Sequence, residues 1–523
     1  MLAVVPSATL YGLDGRSIRV EVDVAPGLPG FTIVGLADTA VQEARERVRG
    51  AIRNAGFTFP PRRITVNLAP AELLKTGTSL DLAMAIGILL GSEQVRSGSG
   101  PVALLGELGL GGEVRPLPGT LPMVAAIAKR GIGRVVVATM AADEARLVDE
   151  VDVIAVATLA EAAEVVRGRR ARRVPVAMPR VTISGVGSVV GEPAGSGSIR
   201  EGEVVDLAEV RGQAEARRGL EIALAGEHGL LLTGPPGVGK TLLARTIPGL
   251  LPPLGDEAAR SVSIVASATG EGPIHSLRRR PPFRAPHHTL SYAAMVGGGP
   301  NLTPGEVTRA DRGVLFLDEL AEFDRDVLEA LRQPLEDGRV LIVRAGRAMT
   351  FPARFQLVAA MNPCPCGFAG SEPEGRCRCT PGEVERYDRR VSGPLRDRLD
   401  IWVSMPRIHA AALVAAREPE GSAVVAARIA GARDIAVLER GRLNGRLRGR
   451  ALRRACRLSG EAACRAVDLA EADVASGRGT ERLLRVARTI ADLAGSSAVA
   501  ADHLEEAAWY RSQASRASAL LAS

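Results

Sequence analysis

Residues 229–241 read Gly-Leu-Leu-Leu-Thr-Gly-Pro-Pro-Gly-Val-Gly-Lys-Thr, an apolar run followed by a glycine-rich loop. The loop follows the pattern G-x-x-x-x-G-K-[ST], whose glycines let backbone N–H groups point at phosphate oxygens. The apolar run predicts a buried strand, and Leu242–Arg245 predicts the start of a helix whose positive end faces the same phosphates. The sequence therefore predicts a loop that binds a nucleoside triphosphate.

The lysine of this loop stands out in the composition. Lys240 is one of three lysines among 66 lysines and arginines, so 63 are arginines. A compact ammonium group fits between the β- and γ-phosphates, where a planar guanidinium fits poorly. Thr241 offers a hydroxyl to Mg²⁺. The predicted ATP-binding loop consists of Gly234, Pro235, Pro236, Gly237, Val238, Gly239, Lys240 and Thr241.

The 523 residues divide into four blocks by composition and periodicity. Residues 1–172 mix strand-like and helical runs, which predicts an α/β domain. Residues 173–205 are rich in Val, Gly, Ser and Pro, which predicts a linker. Residues 206–405 alternate apolar runs with helical segments, which predicts a parallel sheet with helices on both faces. Residues 406–523 have helical spacing and predict a helical domain.

The bulk composition, with 46% apolar and 24% charged residues, is that of an ordinary globular protein. The apolar stretch Leu80–Gly91 is too short to cross a bilayer, and no secretory signal is apparent. We therefore expect a cytoplasmic protein without a membrane partner. The net charge of +7 includes eight arginines between Arg440 and Arg457. This cluster suits either a polyanion or a solvated helix face, and the sequence leaves both readings open.

Three polar residues follow two further predicted strands. The apolar run Val314–Leu317 is followed by Asp318 and Glu319, and a second run at 357–361 is followed by Asn362. We expect Asp318 to hold Mg²⁺ and Glu319 to polarise the water that attacks the γ-phosphate. Asn362 would sense that phosphate and help to position the water.

The segment 392–400, Ser-Gly-Pro-Leu-Arg-Asp-Arg-Leu-Asp, supplies two arginines, Arg396 and Arg398. One of them could act in trans on the ATP of a neighbouring subunit. The alternative is that both form surface salt bridges with Asp397 and Asp400.

These motifs follow the order found in AAA+ ATPases, which the chain resembles. The segments 282–289 (Pro-Phe-Arg-Ala-Pro-His-His-Thr), 297–299 (Gly-Gly-Gly) and 304–306 (Pro-Gly-Glu) resemble the magnesium chelatase subclass. Within it, nearly the whole chain resembles the YifB/ComM family, bacterial ATPases associated with competence and DNA branch migration. The resemblance implies an AAA+ core at 206–405, a helical lid at 406–523, ATP and Mg²⁺ as cofactors, and a homo-oligomeric, hexameric ring.

The resemblance also assigns individual residues. Arg398 matches the arginine finger, and Arg478 matches the lid arginine called sensor 2. Arg396 and Arg482 are neighbouring alternatives for these two roles. Gln213 belongs to a segment that resembles the lining of the adenine pocket.

The same subclass carries a β-hairpin that points into the pore of the ring. Here Arg339–Val343 and Ala348–Phe355 would form it, with Arg344 and Arg347 beside a turn at residues 345–346. Arginines in a pore would meet the phosphate backbone of single-stranded or branched DNA.

Two further groups contain metal-ligand residue types. Adjacent His287 and His288 would point to different sides of a regular element, so we expect a structural or pore-proximal role and no shared metal. Four thiols lie within sixteen residues, which in a cytosolic protein favours metal over disulfide and suits structural Zn²⁺. Reduced thiols or a redox pair are the alternatives. The four residues are Cys364, Cys366, Cys377 and Cys379.

Residues 30–140, including Ile64–Pro70, resemble the proteolytic domain of Lon. That peptidase needs a serine nucleophile and a lysine base. Ser79 lies near the nucleophile position, but Leu121 stands where the base is expected, and Lys75 belongs to the serine's own turn. We therefore expect an inactive domain that serves assembly or partner binding.

The hypothesis from the sequence is a ring-forming ATPase motor that acts on DNA, of the branch-migration or helicase kind, with a role in competence. One alternative is a chelatase-type remodelling ATPase that does not act on DNA. An ATP-dependent protease is disfavoured by Leu121, and a nucleotide-gated scaffold is the last alternative.

Overall fold

The computed structural model describes residues 1–36, 38–75, 77–98, 100–169, 204–299, 302–344, 347–370, 376–408, 419–472 and 477–519. Most of the predicted linker and the turn of the predicted hairpin lie outside these ranges. The described residues form two compact units. The first takes its residues from Met1–Val190, Asp256–Arg278 and Gly299–Pro304, and the second from Gly191–Gly255, Arg279–Gly298 and Gly305–Ser523.

The first unit is built on a four-stranded mixed sheet. Its order is Leu2–Tyr11, Asp14–Ala25, Arg63–Ala69, Gly30–Val34, and only the last pair is parallel. The long second strand alternates buried Val20, Val22 and Val24 with more exposed polar residues, which is the period of a half-buried strand. The unit's other strands are Ala103–Leu104, Glu107–Leu108, Val114–Arg115, Arg134–Ala138, Asp152–Val156 and Thr303–Pro304.

The helices of the first unit cover the apolar residues of its sheets. Thr39–Asn54 begins where Asp38 Oδ1 accepts a hydrogen bond from the backbone of Val41 at 2.9 Å, a normal N-cap. The α-helices are Thr39–Asn54, Asp81–Gly91, Thr120–Ala128, Ala142–Ala145, Leu159–Val166 and Asp256–Thr269, with a 3₁₀ turn at Thr139–Ala141.

One helix of this unit comes from the middle of the chain. Asp256–Thr269 packs against Thr120–Ala128, and Ser267 Oγ hydrogen bonds with the buried carboxylate of Glu144 at 2.5 Å. The same carboxylate accepts a hydrogen bond from the backbone of Leu121 at 2.8 Å. Burial raises the pKa of Glu144, although both hydrogen bonds oppose that shift. The segment 256–278 therefore belongs structurally with the N-terminal block, although it lies within the block 206–405.

The second unit contains a five-stranded parallel sheet. Its order is Phe283–Arg284, Val314–Leu317, Gln356–Met361, Leu230–Thr233, Ile401–Ser404. Nearly every residue of these strands is buried, as expected for parallel strands covered on both sides. The parallel α/β architecture predicted for this part of the chain is confirmed. Outside the sheet, the unit contains the strand Gly297–Gly298 and the hairpin strands Arg339–Arg344 and Arg347–Pro352.

Helices surround this sheet, and the last of them ends at Ala519. Leu484, Ala487, Ile490 and Ala491 form the buried face of Gly477–Leu493, which packs against the helix Ala214–Gly226. Among the described residues, no helix has both the length and the apolar character needed to span a membrane. The α-helices of the unit are Ala214–Gly226, Lys240–Arg245, Ile247–Leu250, Tyr292–Val296, Glu306–Arg309, Arg325–Ala330, Arg332–Asp337, Pro381–Asp388, Gly393–Arg396, Ser422–Arg440, Gly449–Cys456, Gly460–Ala472, Gly477–Leu493 and Ala501–Ala519, with 3₁₀ turns at Leu207–Glu209, Leu320–Glu322 and Asn444–Arg446.

Candidate nucleotide-binding site

The phosphate loop connects the interior strand Leu230–Thr233 to the helix Lys240–Arg245. Gly237 and Gly239 have φ angles of +79° and +95°, in the left-handed region where a Cβ is disfavoured. The curl of the loop thus favours glycine at both positions.

Lys240 is held by oxygen atoms of the protein itself. Its side chain is buried, and its Nζ donates hydrogen bonds to the carbonyls of Gly234 and Pro235 and to Asn362 Oδ1, the last two at 3.0 Å. An ammonium group has three hydrogens to donate, and these three oxygens accept all of them. The loop is closed around the lysine.

The strand order explains why Asn362 reaches the lysine. The strand that ends at Met361 lies between Leu230–Thr233 and Val314–Leu317, and Thr233 pairs with Met361 in the parallel register. The first residue after each strand therefore lies at the same edge of the sheet. The structure brings Asn362 to the phosphate loop, where the sequence predicted it.

Thr241 and Asp318 form an oxygen pair beside the lysine. Thr241 Oγ1 donates to Asp318 Oδ2 at 2.6 Å, and Asp318 Oδ1 accepts a hydrogen bond from the backbone of Glu319 at 3.0 Å. Hydroxyl and carboxylate oxygens are the hard ligands that Mg²⁺ prefers, so the donor set fits this ion. Burial lowers the pKa of Lys240, while the charges of Asp318 and Glu319 raise it.

Glu319 contacts a residue to which the sequence assigned another role. Its carboxylate is half-exposed, and Oε2 lies 3.2 Å from His288 Nδ1. His288 follows the strand Phe283–Arg284, which is the sheet neighbour of Val314–Leu317, so strand pairing brings the imidazole to the carboxylate. The ring of His287 lies 4.1 Å from that of His288, so the prediction that the two rings point apart is wrong. The contact between His288 and Glu319 could have been found only from the order of the strands in the sheet.

Gln213 lies against the phosphate loop. Its Nε2 donates to the carbonyl of Pro406 at 2.8 Å and to that of Val238 at 3.4 Å. The residue has a φ of +50° and immediately precedes the helix Ala214–Gly226. A position beside the loop is compatible with the adenine-pocket role predicted for it.

The predicted arginine finger lies at the opposite edge of the sheet. Arg398 lines a cavity of about 790 Å³ together with Gly229, Gln356 and Asp400, which begin or immediately precede three of the parallel strands. The phosphate loop follows the carboxyl end of one of these strands. Arg398 forms an ion pair with Glu336 and does not approach the phosphate loop of its own chain.

The other candidate arginines have defined local partners. Arg482 also lines the cavity and donates to the carbonyl oxygen and Oδ1 of Asp397 at 3.0 and 3.1 Å. Arg485 pairs with Asp400 at 3.0 Å. The salt bridges considered for Asp397 and Asp400 are thus made by the helix Gly477–Leu493.

The two remaining candidate arginines are Arg396 and Arg478. Arg396 donates to the carbonyl of Val391 at 3.0 Å, and its guanidinium lies 5.8 Å from the ring centre of Trp402, so it serves local packing. Arg478 is in the first turn of the helix Gly477–Leu493, but its side chain lies outside the described residues.

The four clustered cysteines converge on one point. Cys364 Sγ lies 3.3 Å from Cys366 Sγ and 3.8 Å from Cys377 Sγ, and all four sulfurs lie within 4.8 Å of one another. Zn–S bonds of about 2.3 Å in a tetrahedron give S–S edges of about 3.8 Å, whereas a disulfide needs about 2.05 Å. The backbone of Ala369 also donates to Cys364 Sγ at 3.3 Å. The cluster is compatible with a zinc site.

The predicted hairpin is present in the second unit. Arg339–Arg344 and Arg347–Pro352 pair antiparallel, and Arg344 lies opposite Arg347 at the end of the ladder. Leu341 and Val343 are exposed, so the hairpin projects an unpacked surface. Within the described ranges, neither Arg344 nor Arg347 forms an ion pair.

The serine of the N-terminal unit has no hydrogen-bonded base among the described residues. Ser79 is buried, and among the described residues no group hydrogen bonds with its Oγ. Lys75 is also buried, which lowers its pKa, and its Nζ donates to the carbonyl of Pro70. Leu121 is buried in an apolar cluster. The serine is therefore not activated by either position that the sequence considered.

Three protein-family models match most of the chain. Residues 206–413 match the family described as magnesium chelatase, subunit ChlI, and 419–511 match the C-terminal region of that subunit. Residues 20–141 match the family described as subunit ChlI of Mg-chelatase. With the parallel sheet and phosphate loop, these matches define a magnesium chelatase-type AAA+ ATPase.

Similarity to individual proteins identifies the family within this class of ATPases. The chain is 40% identical over 514 residues to the competence protein ComM of Haemophilus influenzae, covering 98% of this chain and 97% of ComM. It is also 40% identical over 513 residues to the uncharacterised protein YifB of Escherichia coli, with 98% and 97% covered. The magnesium-chelatase 38 kDa subunit of Acidiphilium rubrum is 29% identical over 175 residues, 29% of this chain and 51% of that subunit. The chain belongs to the YifB/ComM family of magnesium chelatase-like AAA+ ATPases.

Proposed function

We propose that the chain hydrolyses ATP as a subunit of a homo-hexameric ring in the cytoplasm and uses that energy to move along single-stranded or branched DNA. We assign residues 206–405 as the ATPase core and 406–523 as its lid. Residues 1–172 would be a Lon-like domain without peptidase activity, joined to the core by the linker 173–205.

The ATPase part of the proposal rests on the groups at the carboxyl edge of the parallel sheet. Lys240 and the loop amides would hold the β- and γ-phosphates, and Thr241 and Asp318 would hold Mg²⁺. Bound Mg²⁺ would neutralise phosphate charge as the terminal bond breaks. Glu319 would orient the attacking water and accept its proton, and Asn362 would position the γ-phosphate.

The separation of Arg398 from this edge supports the ring. An arginine that stabilises transition-state charge must touch the transferred phosphate, and Arg398 lies at the other edge of its own sheet. It would therefore serve the ATP of the next subunit, and Arg478 would complete that site from the lid. Each site would then need two copies of the chain.

The DNA part of the proposal rests on the hairpin. Arg344 and Arg347 form a cross-strand pair of like charges for which the described residues offer no acidic partner, an arrangement that is destabilising by itself. A phosphate backbone would relieve that repulsion. The likeness to the competence protein ComM is in line with a role in competence, which is part of the proposal.

The four cysteines would hold a structural Zn²⁺ beside the nucleotide site. Four thiolates at these separations match the tetrahedral coordination of a closed site. The turn that contains Cys364 and Cys366 begins two residues after Asn362. The ion would fix the path of the chain there.

The test is DNA-stimulated ATP hydrolysis by the purified protein. We expect single-stranded or branched DNA to raise ATP turnover, and we expect the Arg344→Ala/Arg347→Ala double variant to lose that rise while keeping its turnover without DNA. Arg339→Ala is the matched control, because Arg339 lies at the base of the same hairpin.

Two outcomes would reject the DNA role. If no DNA raises ATP turnover, the chelatase-type remodelling ATPase becomes the better account, in line with the likeness to the magnesium-chelatase 38 kDa subunit. If the double variant is stimulated as strongly as the wild type, the hairpin does not contact DNA.

A further inference from the structure

The helix Gly449–Cys456 divides into two faces of opposite character. Leu452 and Cys456 are fully buried in the core of the second unit. The backbone N–H of Gly449 donates to Glu481 at 3.0 Å, which fixes the start of the helix. The opposite face carries arginines at helical positions i, i+3 and i+4, followed by a fourth directly after the helix. This arginine face consists of Arg450, Arg453, Arg454 and Arg457, all exposed.

Within the described residues, the arginine face lacks the acidic partners that two other arginines of the cluster have. Arg440 pairs with Asp492 at 2.5 Å, and Arg446 pairs with Glu227 at 2.6 Å. For the four arginines of the face, the described part of the chain offers no ion pair and no hydrogen-bond acceptor. The structure therefore distinguishes Arg440 and Arg446, which hold the fold together through ion pairs, from the four arginines of the face.

Electrostatic repulsion within the arginine face destabilises the isolated protein. Arg450 and Arg454 are four residues apart on the helix, and Arg450 and Arg453 are three apart, so like charges lie side by side. Arg457 adds a further charge from a left-handed conformation, with φ of +46°, that glycine usually supplies at this position. Nothing among the described residues compensates this repulsion, which points to an anionic partner outside the chain.

The geometry points to the phosphate backbone of duplex DNA as that partner, and we propose the arginine face as a duplex-binding surface. Seven residues of helix rise about 10 Å, and duplex DNA carries about six charges over that length. Guanidinium groups bind phosphate oxygens with good geometry. No aromatic residue occurs in 449–457, so the face lacks the stacking platform with which proteins hold unpaired bases.

This inference rests on the proposed action on DNA and adds a second contact to it. The hairpin arginines would follow a single strand, and the arginine face would hold a double-stranded arm of the same branched substrate. Binding to the duplex would be independent of base sequence and steeply dependent on salt.

The experiment compares full-length wild type with the Arg450→Gln/Arg454→Gln double variant. Both bind a labelled duplex and a single strand of equal length while salt is raised from about 50 to 200 mM. We expect the variant to bind duplex more weakly, with the slope of log K against log salt reduced by about 2, one unit for each lost phosphate contact. Binding of the single strand should be unchanged.

The control separates this surface from a general effect of charge. Arg45→Gln/Arg53→Gln removes two exposed arginines from the helix Thr39–Asn54 and should leave the duplex slope unchanged. Unstimulated ATP turnover and the thermal unfolding temperature should match the wild type in both variants, because glutamine is a good helix former and neither pair touches the nucleotide site.

The outcomes distinguish failure of the surface from failure of the proposed function. If wild type binds duplex and the Arg450→Gln/Arg454→Gln variant gives the same salt slope, the arginine face does not bind DNA. If that variant instead loses binding to poly-glutamate while its duplex curve is unchanged, the partner is an acidic polypeptide and the inference is overturned. If wild type binds neither DNA form, the proposed function falls with it.

Discussion

Lys240 contributes a hydrogen-bond geometry that positive charge alone does not provide. The chain uses arginine at 63 of 66 Lys and Arg positions. Lys240 is one of the three exceptions, and its buried Nζ donates hydrogen bonds to oxygen atoms of Gly234, Pro235 and Asn362. The pocket is shaped for three hydrogens on one nitrogen. A planar guanidinium on a longer chain cannot place its donors on the same oxygens.

We therefore expect Lys240→Arg to weaken ATP binding although the charge is kept. The dissociation constant for ATP should rise at least about 100-fold, equivalent to about 2.7 kcal/mol, in a nucleotide titration of the purified protein. Lys129→Arg is the matched control, because Lys129 is exposed, and it should bind ATP like the wild type. Wild-type affinity in Lys240→Arg would show that positive charge alone is sufficient at this position.

At this scale, local motifs predict the site well and contacts across the sheet poorly. Thr241, Asp318 and Asn362 each follow or adjoin a recognisable strand or loop, and the structure brings them together with Lys240. His288 was missed because its contact with Glu319 depends on which strands are neighbours. Strand order is a property of the whole sheet, so no local pattern contains it.

Among the secondary-structure elements, continuous apolar runs were sufficient to predict the strands of the parallel sheet. Val314–Leu317 is buried throughout, and Leu230–Thr233 is buried except at its last residue, so both have the pattern of interior strands. The sequence did not predict that Asp256–Thr269 packs with the N-terminal unit. Its amphipathic pattern shows that one face is covered, and the same pattern fits any apolar surface.

The cysteine turn is the element that links the proposed zinc site to the phosphate loop. Gly367 has a φ of +86°, and a Cβ there would meet Pro236 Cδ at 2.6 Å and Asn362 Cγ at 3.8 Å. The turn thus lies directly against the loop and against the residue that contacts Lys240. Zinc on the cysteines would hold this contact in place.

We expect Cys364→Ser to lose bound zinc and to raise the KM for ATP. A loss of about 1 kcal/mol of loop positioning corresponds to a rise of about fivefold. Metal analysis of the purified protein and steady-state ATP hydrolysis measure the two effects. The control is Cys464→Ser, which changes an exposed cysteine outside the cluster and should alter neither value. One equivalent of zinc retained in Cys364→Ser would contradict the assignment.

For the whole molecule, the parallel sheet separates the two halves of the proposed catalytic site. The phosphate loop lies at the carboxyl edge, and Arg398, Arg482 and Arg485 line the cavity at the amino edge. With Arg398 as the finger, a chain with this arrangement would not complete its own site. Copies that associate head to tail place the amino edge of one against the carboxyl edge of the next, which is the association that closes into a ring.

We therefore expect two inactive variants to restore each other's activity when mixed. Lys240→Ala removes ATP binding and Arg398→Ala removes the finger, and each alone should hydrolyse ATP at background rate. In a 1:1 mixture assembled at random, about a quarter of the interfaces combine an intact loop with an intact finger, so about a quarter of wild-type turnover should return. Mixing Lys240→Ala with Glu319→Gln is the control. Both changes lie in the half of the site that contains the phosphate loop, so every site in that mixture keeps one of the two defects and turnover should stay at background. Turnover that stays at background in the Lys240→Ala and Arg398→Ala mixture would show that Arg398 does not act between subunits.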